Sequence, residues 1–223
     1  MRVKTETSQS DPANAVLSAC TEASRVALAE KGTVRQFEPE ERLFEEGEAG
    51  GVVLFPISGS LQLSKTAERG RRRQVLCHLT PEGCCGVCVL TMADNSLADV
   101  IGMTPGEVLV LSRADYQVLA HADPVLCQSG WQAAVQCMSH FSNLVEHLSF
   151  RKVGERVALL LLENTKEDGD LVRLTQADLA AEVGTTREVV ARCLASLQAS
   201  GGVRLGRARI TVMSRAKLEQ QLG

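Results

Sequence analysis

Two groups of side chains in this sequence have the types and the spacing for chemistry. Cys84, Cys85 and Cys88 lie within five residues, beside Gly83 and Gly86, and Cys77-His78 precede them across an expected hairpin. Thiolates this close can hold a soft metal ion, or exchange to a disulfide or persulfide. A zinc knuckle needs a second pair of ligands, which Cys77, His78 or a cysteine of a second copy would have to supply. Vicinal Cys84 and Cys85 cannot bridge each other, because a disulfide holds its Cα atoms about 5.5–6 Å apart and a trans peptide spaces them about 3.8 Å. Cys88 joined to one of them, or to Cys77, is the expected pairing. The second group is Arg187, Glu188 and Arg192. Arginine is bidentate to guanine O6 and N7 and a glutamate accepts from cytosine N4, so this trio on one helix face suits a G·C-containing step in the major groove. The plainer reading is a solvated face with an i, i+4 ion pair.

The elements around the trio favour DNA. Thr175 is placed to cap a helix over 176–183, with Asp178 at its third position closing a capping-box pair. Gly184 supplies a left-handed residue for a sharp turn, and Thr185 or Thr186 caps a second helix that buries Val189, Val190, Leu194 and Leu197. A hairpin follows, Val203 to Leu205 and Ile210 to Val212 around Gly206-Arg207. Two short helices across a glycine and then a hairpin make a winged helix-turn-helix. Its candidate DNA contacts are Thr175, Gln176, Thr185, Thr186, Arg187, Glu188, Arg192 and the wing residues Arg207 and Arg209. Charge agrees: residues 1–150 carry 12 Lys+Arg and 18 Asp+Glu, net −6, while 151–223 carry 12 and 9, net +3. Within 171–215 seven arginines (173, 187, 192, 204, 207, 209, 215) face Asp178, Glu182 and Glu188. Only the C-terminal part is made to meet a polyanion.

Upstream, Asp123-Pro124 opens a stretch to Phe150 in which Cys127, Trp131, Ala134, Met138, Phe141, Val145 and Leu148 repeat at 4/3 spacing. That is a heptad seam and predicts a helix pairing with its twin in a homodimer. A second stripe, Cys137, Phe141, Leu144 and Leu148, is free to pack on the helix's own domain. From Gly32 to Ser112 short alternating runs such as Ser60–Ser64, Val75–Leu79 and Val108–Leu111, punctuated by glycines, predict a barrel or roll. The expected domains are 14–122, 123–150 and 151–223.

With 223 residues, 44% hydrophobic and 23% charged, the chain carries enough apolar mass for real cores, which excludes a disordered tail or a fibre. No run approaches 18 apolar residues and the N-terminus has no apolar signal core, so a cytoplasmic, reducing compartment is expected, without a membrane. Eight cysteines there are not a disulfide framework. Cys77, Cys137 and Cys193 are expected as small core hydrophobes, His140 and His147 as solvated rather than haem-ligating, and Arg71-Arg72-Arg73 as a solvated hairpin tip.

Several segments resemble the CRP/FNR superfamily of bacterial transcription regulators: Phe44-Glu45-Glu46-Gly47, Val53 to Leu61, Gly154 to Leu161, Leu174 to Ala180, and Thr186 to Arg192. The resemblance implies an α+β fold with an N-terminal cyclic-nucleotide-binding-like β-roll, a long dimerisation helix and a C-terminal winged helix-turn-helix. It also implies an effector-controlled dimer that reads an inverted repeat in double-stranded DNA through Arg187, Glu188 and Arg192, and that meets RNA polymerase if it is an activator. The departure is in the sensor. Between Arg73 and Arg113 there is no Lys or Arg, only His78, so a cyclic phosphate would find no cation. No cyclic nucleotide is therefore expected. The iron-sulfur branch gathers several N-terminal cysteines, where this chain has Cys20 alone. A roll that senses a redox, reactive-sulfur or metal signal through Cys84, Cys85, Cys88, Cys77 and His78 is the leading expectation, with haem or an iron-sulfur cluster as the alternative effector. A thiol oxidoreductase or peroxidase is the competing class. It lacks a Cys-x-x-Cys at a helix start and any Ser/His/Asp or paired-carboxylate set.

Overall fold

The alternation in residues 33–112 becomes five strands. In the structure, a computed structural model, residues 14–67, 72–82, 88 and 90–222 are described. Two short helices come first, α1 (Ala15–Ala19) and α2 (Glu22–Lys31). The strands are β1 (Thr33–Phe37), β2 (Arg42–Phe44), β3 (Val52–Thr66), β4 (Arg73–Leu79) and β5 (Asp99–Ser112), in the order β1-β5-β3-β4, with β2 also on β5. β1 runs antiparallel to β5 from Thr33↔Val110 to Phe37↔Gly106. β3 and β5 are longer than the short runs suggested, because each continues through a glycine where the backbones touch. A Cβ on Gly59, whose φ is +71°, would lie 2.5 Å from the Pro105 carbonyl oxygen, and one on Gly106 would lie 2.3 Å from that of Ser58. Only glycine allows that approach.

Two helices follow, α3 (Arg113–Ala122) and the 27-residue α4 (Pro124–Phe150). Ser112 caps α3 by accepting from the Asp115 amide. Asp123 joins the two helices: its backbone carbonyl takes the Cys127 amide and its carboxylate takes the amides of Val125 and Thr21 and the Thr21 hydroxyl. Pro124 at the first helical position lacks only a donor that the helix would leave idle. The sheet and helices share a core of Val53, Phe55, Leu109, Leu111, Tyr116, Leu119, Leu126 and Ala133. Tyr116 fixes α4 there, its ring 6.1 Å from that of Phe55 and its hydroxyl donating to the Leu126 carbonyl at 2.8 Å.

The remaining elements are α5 (Val153–Glu163), β6 (Leu171–Val172), α6 (Gln176–Val183), α7 (Arg187–Ala199), β7 (Val203–Gly206), β8 (Arg209–Val212) and α8 (Arg215–Glu219). The strands form a sheet in the order β6-β8-β7, β7 and β8 pairing from Val203↔Val212 to Gly206↔Arg209. Val157, Ala158 and Leu161 of α5, Leu179 and Val183 of α6, Val190, Leu194 and Leu197 of α7, and Val203, Ile210, Val212 and Leu218 make one apolar cluster.

By contact the chain divides into two compact units, Met1–Gln62 with His78–Cys137, and Leu63–Cys77 with Met138–Gly223. Thus β3, β4 and α4 each run from one unit into the other, and the hairpin residues 63–77 belong with the helix-turn-helix.

Candidate DNA-reading face and candidate sensor

The reading face grows from its caps. Thr175 accepts from the Asp178 amide through its hydroxyl, and the Asp178 carboxylate returns to the Thr175 amide and hydroxyl, so α6 starts on a complete capping box. α6 ends at Gly184, φ +69° and ψ 49°, the left-handed conformation that lets the chain turn at once into α7. Thr185 is buried in that turn with its amide on the Ala180 carbonyl, so it shapes the turn rather than facing outward. Thr186 caps α7 by conformation, without a side-chain hydrogen bond to the first turn. The Glu188 carboxyl is held below its ordinary range by its own backbone amide first, then by the Thr186 hydroxyl and the charges of Arg187 and Arg192. Arg187, Glu188 and Arg192 are all exposed, on the opposite side of α7 from buried Val190, Leu194 and Leu197. Arg204, Arg207 and Arg209 are exposed on the wing, whose turn holds Ala208 at φ 51°.

One arginine of the basic set serves the fold instead. The Arg215 guanidinium donates to the Leu162 carbonyl and to the carbonyl and hydroxyl of Thr165, while its amide donates to Asp168. The arginine run before β4 also departs from expectation. Arg71 lies outside the described residues, but Arg72 donates to the Gly184 carbonyl and Arg73 pairs with Asp178 at 3.9 Å. These are docked cations, because the hairpin residues pack within the same unit as α6. No local pattern in the sequence reports such a contact between positions more than a hundred residues apart.

The α4 seam is bare over much of its length. Trp131 is 73% exposed, Met138 70% and Val145 61%, with Cys127 and Leu148 exposed too, while Ala134 and Phe141 are half-buried. The opposite stripe, Leu126, Ser129 and Ala133, is buried in the first unit.

Of the candidate sensor residues, Cys84 and Cys85 lie outside the described residues. Cys88 is buried and bridges Leu54, its amide on the Leu54 carbonyl at 2.9 Å. Burial pushes its thiol up to about 11, against hydrogen bonds from Leu90 and Thr91, and Cys137 on α4 stands close enough to raise it further. Cys88 is thus a neutral thiol at pH 7 and is not primed as a nucleophile. Cys77 is half-buried on β4 and His78 is exposed. Cys137 and Cys193 are half-buried as well, and Cys193 packs against the apolar cluster of α5, α6 and α7 as a small hydrophobe. Among the described residues no group of three or more His, Cys, Asp or Glu side chains is gathered closely enough to hold a metal ion.

Arg113, the cation that ends the stretch without Lys or Arg, is committed to the Met92 carbonyl and the Asp94 carboxylate.

Comparison with known proteins settles the family. A model of the cyclic nucleotide-binding domain matches residues 34–123 and a model of the Crp-like helix-turn-helix domain matches residues 155–221. A cyclic AMP receptor protein of Thermus thermophilus is 30% identical over 179 residues, 80% of this chain and 82% of that protein. The chain belongs to the CRP/FNR family. A global nitrogen regulator of Synechococcus elongatus is 25% identical over 84% of this chain and 89% of its own length. A solved CRP/FNR-family regulator from Eubacterium rectale superposes with a TM-score of 0.76 at 19% identity, covering 94% of this chain and 98% of that one. As a member of this family the protein is a DNA-binding transcription regulator with a cyclic-nucleotide-binding-like roll and a C-terminal helix-turn-helix. No helix among the described residues is long and apolar enough to cross a membrane.

Proposed function

We propose that this CRP/FNR-family regulator works in the cytoplasm as a homodimer that reads an inverted repeat, with a roll that answers a redox, reactive-sulfur or metal signal through cysteines rather than a cyclic nucleotide. Residues 14–122 form the sensing part, 123–150 the dimerisation helix and 151–223 the reading part. The observation that carries this reading is that one chain has both the bare heptad face of α4 and an exposed Arg187/Glu188/Arg192 face. A second copy seated on Trp131, Met138 and Val145 buries the apolar seam, and a two-fold dimer presents two α7 helices to successive major grooves, about one DNA turn apart. RNA polymerase is the further partner if the protein activates.

The chemistry of the signal falls to Cys84 and Cys85, since Cys88 is held neutral. A thiol-enzyme reading is weakened by the same fact, because the one described cysteine of the cluster lacks thiolate character. Native mass spectrometry of anaerobic and aerobic protein tests the dimer and the signal chemistry together, and operator binding tests their link to DNA. A dimer mass with an oxidation, persulfide or metal adduct that vanishes when Cys84, Cys85 and Cys88 are all replaced by Ser supports it. Operator binding that responds alike in wild type and this variant to diamide and to polysulfide returns the cluster to a packing role.

A further inference from the structure

Gly184 is where three parts of the second unit converge. A Cβ there would lie 1.9 Å from the Gln74 amide oxygen and 2.9 Å from Leu148 Cδ2. Gln74 donates through Nε2 to the carbonyls of Val75, at 2.7 Å, and of Glu182, at 3.3 Å. Arg72 donates to the Gly184 carbonyl from Nε at 3.0 Å and again from Nη2. Further back along α6, Arg73 reaches Asp178. Residues 72–74 therefore lie along one side of α6 and close on its last carbonyls. Those carbonyls carry the negative end of the helix dipole, where a guanidinium is favourable. His140 of α4 meets the carbonyl of Leu76, two residues beyond Gln74.

We propose that Arg72 and Gln74 are positioning residues for DNA reading: the hairpin between β3 and β4 holds the α6–α7 turn and thereby aims Arg187, Glu188 and Arg192. This rests on α7 being the reading helix. Three facts make the turn dependent on the hairpin. The left-handed backbone of Gly184 sets the exit into α7, the Thr186 side chain accepts no backbone amide of the α7 first turn, and α6 is only eight residues long. The contact gives the roll a direct route to the reading head, since β4 carries both Gln74 and, three and four residues on, Cys77 and His78. Arg156 of α5 sharpens the device. Its Nε is buried without a hydrogen-bond partner among the described residues, and its charged form is disfavoured by burial first and by Arg72 second. A cation beside Arg72 makes the clasp easier to release than a neutral neighbour would.

The test uses the full-length protein and two duplexes, one selected from a random pool by the wild type and a scrambled version of it. Arg72→Ala should weaken binding to the selected duplex about tenfold and leave the scrambled duplex unchanged, Arg72→Lys should recover part of the loss, and Gln74→Ala should act in the same direction as Arg72→Ala. In free protein, amide hydrogen exchange of residues 184–188 should quicken in Arg72→Ala while α5 and α8 keep wild-type protection. Unchanged exchange overturns the proposal, as does an Arg72→Ala variant that binds the selected duplex within twofold of wild type, or more tightly, or that loses equally on both duplexes. Should the wild type select no sequence at all, the DNA-reading assignment of α7 fails, and the exchange measurement still decides the clasp.

Discussion

The reading bundle and the roll treat polar side chains in opposite ways. In the bundle Arg187, Glu188, Arg192, Arg204, Arg207 and Arg209 stand in solvent over an apolar cluster, with Thr165 and Thr185 the buried polar residues at its turns. In the roll Gln62, Ser64, Thr91, Ser96 and Asp99 are buried, and so is the Cys88 thiol. A surface that meets phosphates gains from charges already hydrated and ready to release counterions. A roll that answers a small signal needs the reverse, reactive or polar groups kept from water so that a local change is felt by the packing around them. α4 runs from the first unit into the second and is buried along Leu126, Ser129 and Ala133 and bare along Trp131, Met138 and Val145.

The largest effect should come from that bare face. Replacing Met138 and Val145 by Glu puts two unpaired charges into the proposed interface, each uncompensated buried charge costing about 3–5 kcal/mol. Light scattering should then show monomers, and binding to the inverted repeat should fall at least 100-fold. A dimer that persists moves the interface off α4. Next comes the bundle core: Leu194→Ala should cost about 2–5 kcal/mol, read as a lower denaturation midpoint. If the two units melt separately, the loss will appear only in the transition of the reading bundle.

Smaller, but more specific, are the effects on the reading face. Arg192→Ala should cost about 1–3 kcal/mol on the selected duplex and relax preference at one guanine, whereas Arg207→Ala or Arg209→Ala should weaken all sequences and reduce the salt slope by about 1. Equal loss on selected and scrambled DNA for Arg192→Ala would show that the face is merely electrostatic.

Asp123 gives the roll's side a comparable probe. Burial alone would raise its carboxyl, but hydrogen bonds from Ser24, Thr21 and Val125 outweigh that and hold it below the ordinary range. Because the folded state depresses this group, its contribution is present above the unfolded value near pH 4 and fades as pH falls below it. Asp123→Ala should cost about 1–2 kcal/mol, as a lost helix cap does, and the difference from wild type should shrink in acid. A difference that stays constant down to pH 3 would show that geometry rather than charge is what Asp123 supplies.

These regions also differ in how far the sequence exposes them. The capping box at Thr175 and Asp178, the left-handed Gly184 and the 4/3 seam of α4 are local signals, each legible from residues within one or two turns. The joins at Gly59/Gly106, Asp123/Thr21 and Arg72/Gly184 are not, since partners 47, 102 and 112 residues apart are brought together only by the folded sheet and helices. Arg215 shows the limit from within the bundle itself: its type matches that of the exposed arginines of α7 and the wing, yet the carbonyls left open where α5 ends claim it.

The finest discrimination is among the thiols. Cys127 opens the bare seam and is exposed, while Cys88 is sealed in the roll with its thiol pushed up to about 11. At pH 8 a group with that value is roughly 0.1% thiolate, and the thiolate is the reacting species. Burial then restricts access as well. Iodoacetamide added to folded protein, followed by peptide mass spectrometry, should therefore modify Cys127 ahead of Cys88, more slowly where the proposed dimer covers the seam, and leave Cys88 untouched until denaturant is added. Cys84 and Cys85, in the glycine-flanked segment, should react ahead of Cys88 if they carry the signal. Modification of Cys88 at the rate of Cys127 in the folded state would mean that the roll opens around Leu54 and Thr91 on the labelling timescale. The contrast between a hydrated reading face and a shielded sensing interior would then fail at the residue where it is drawn most sharply.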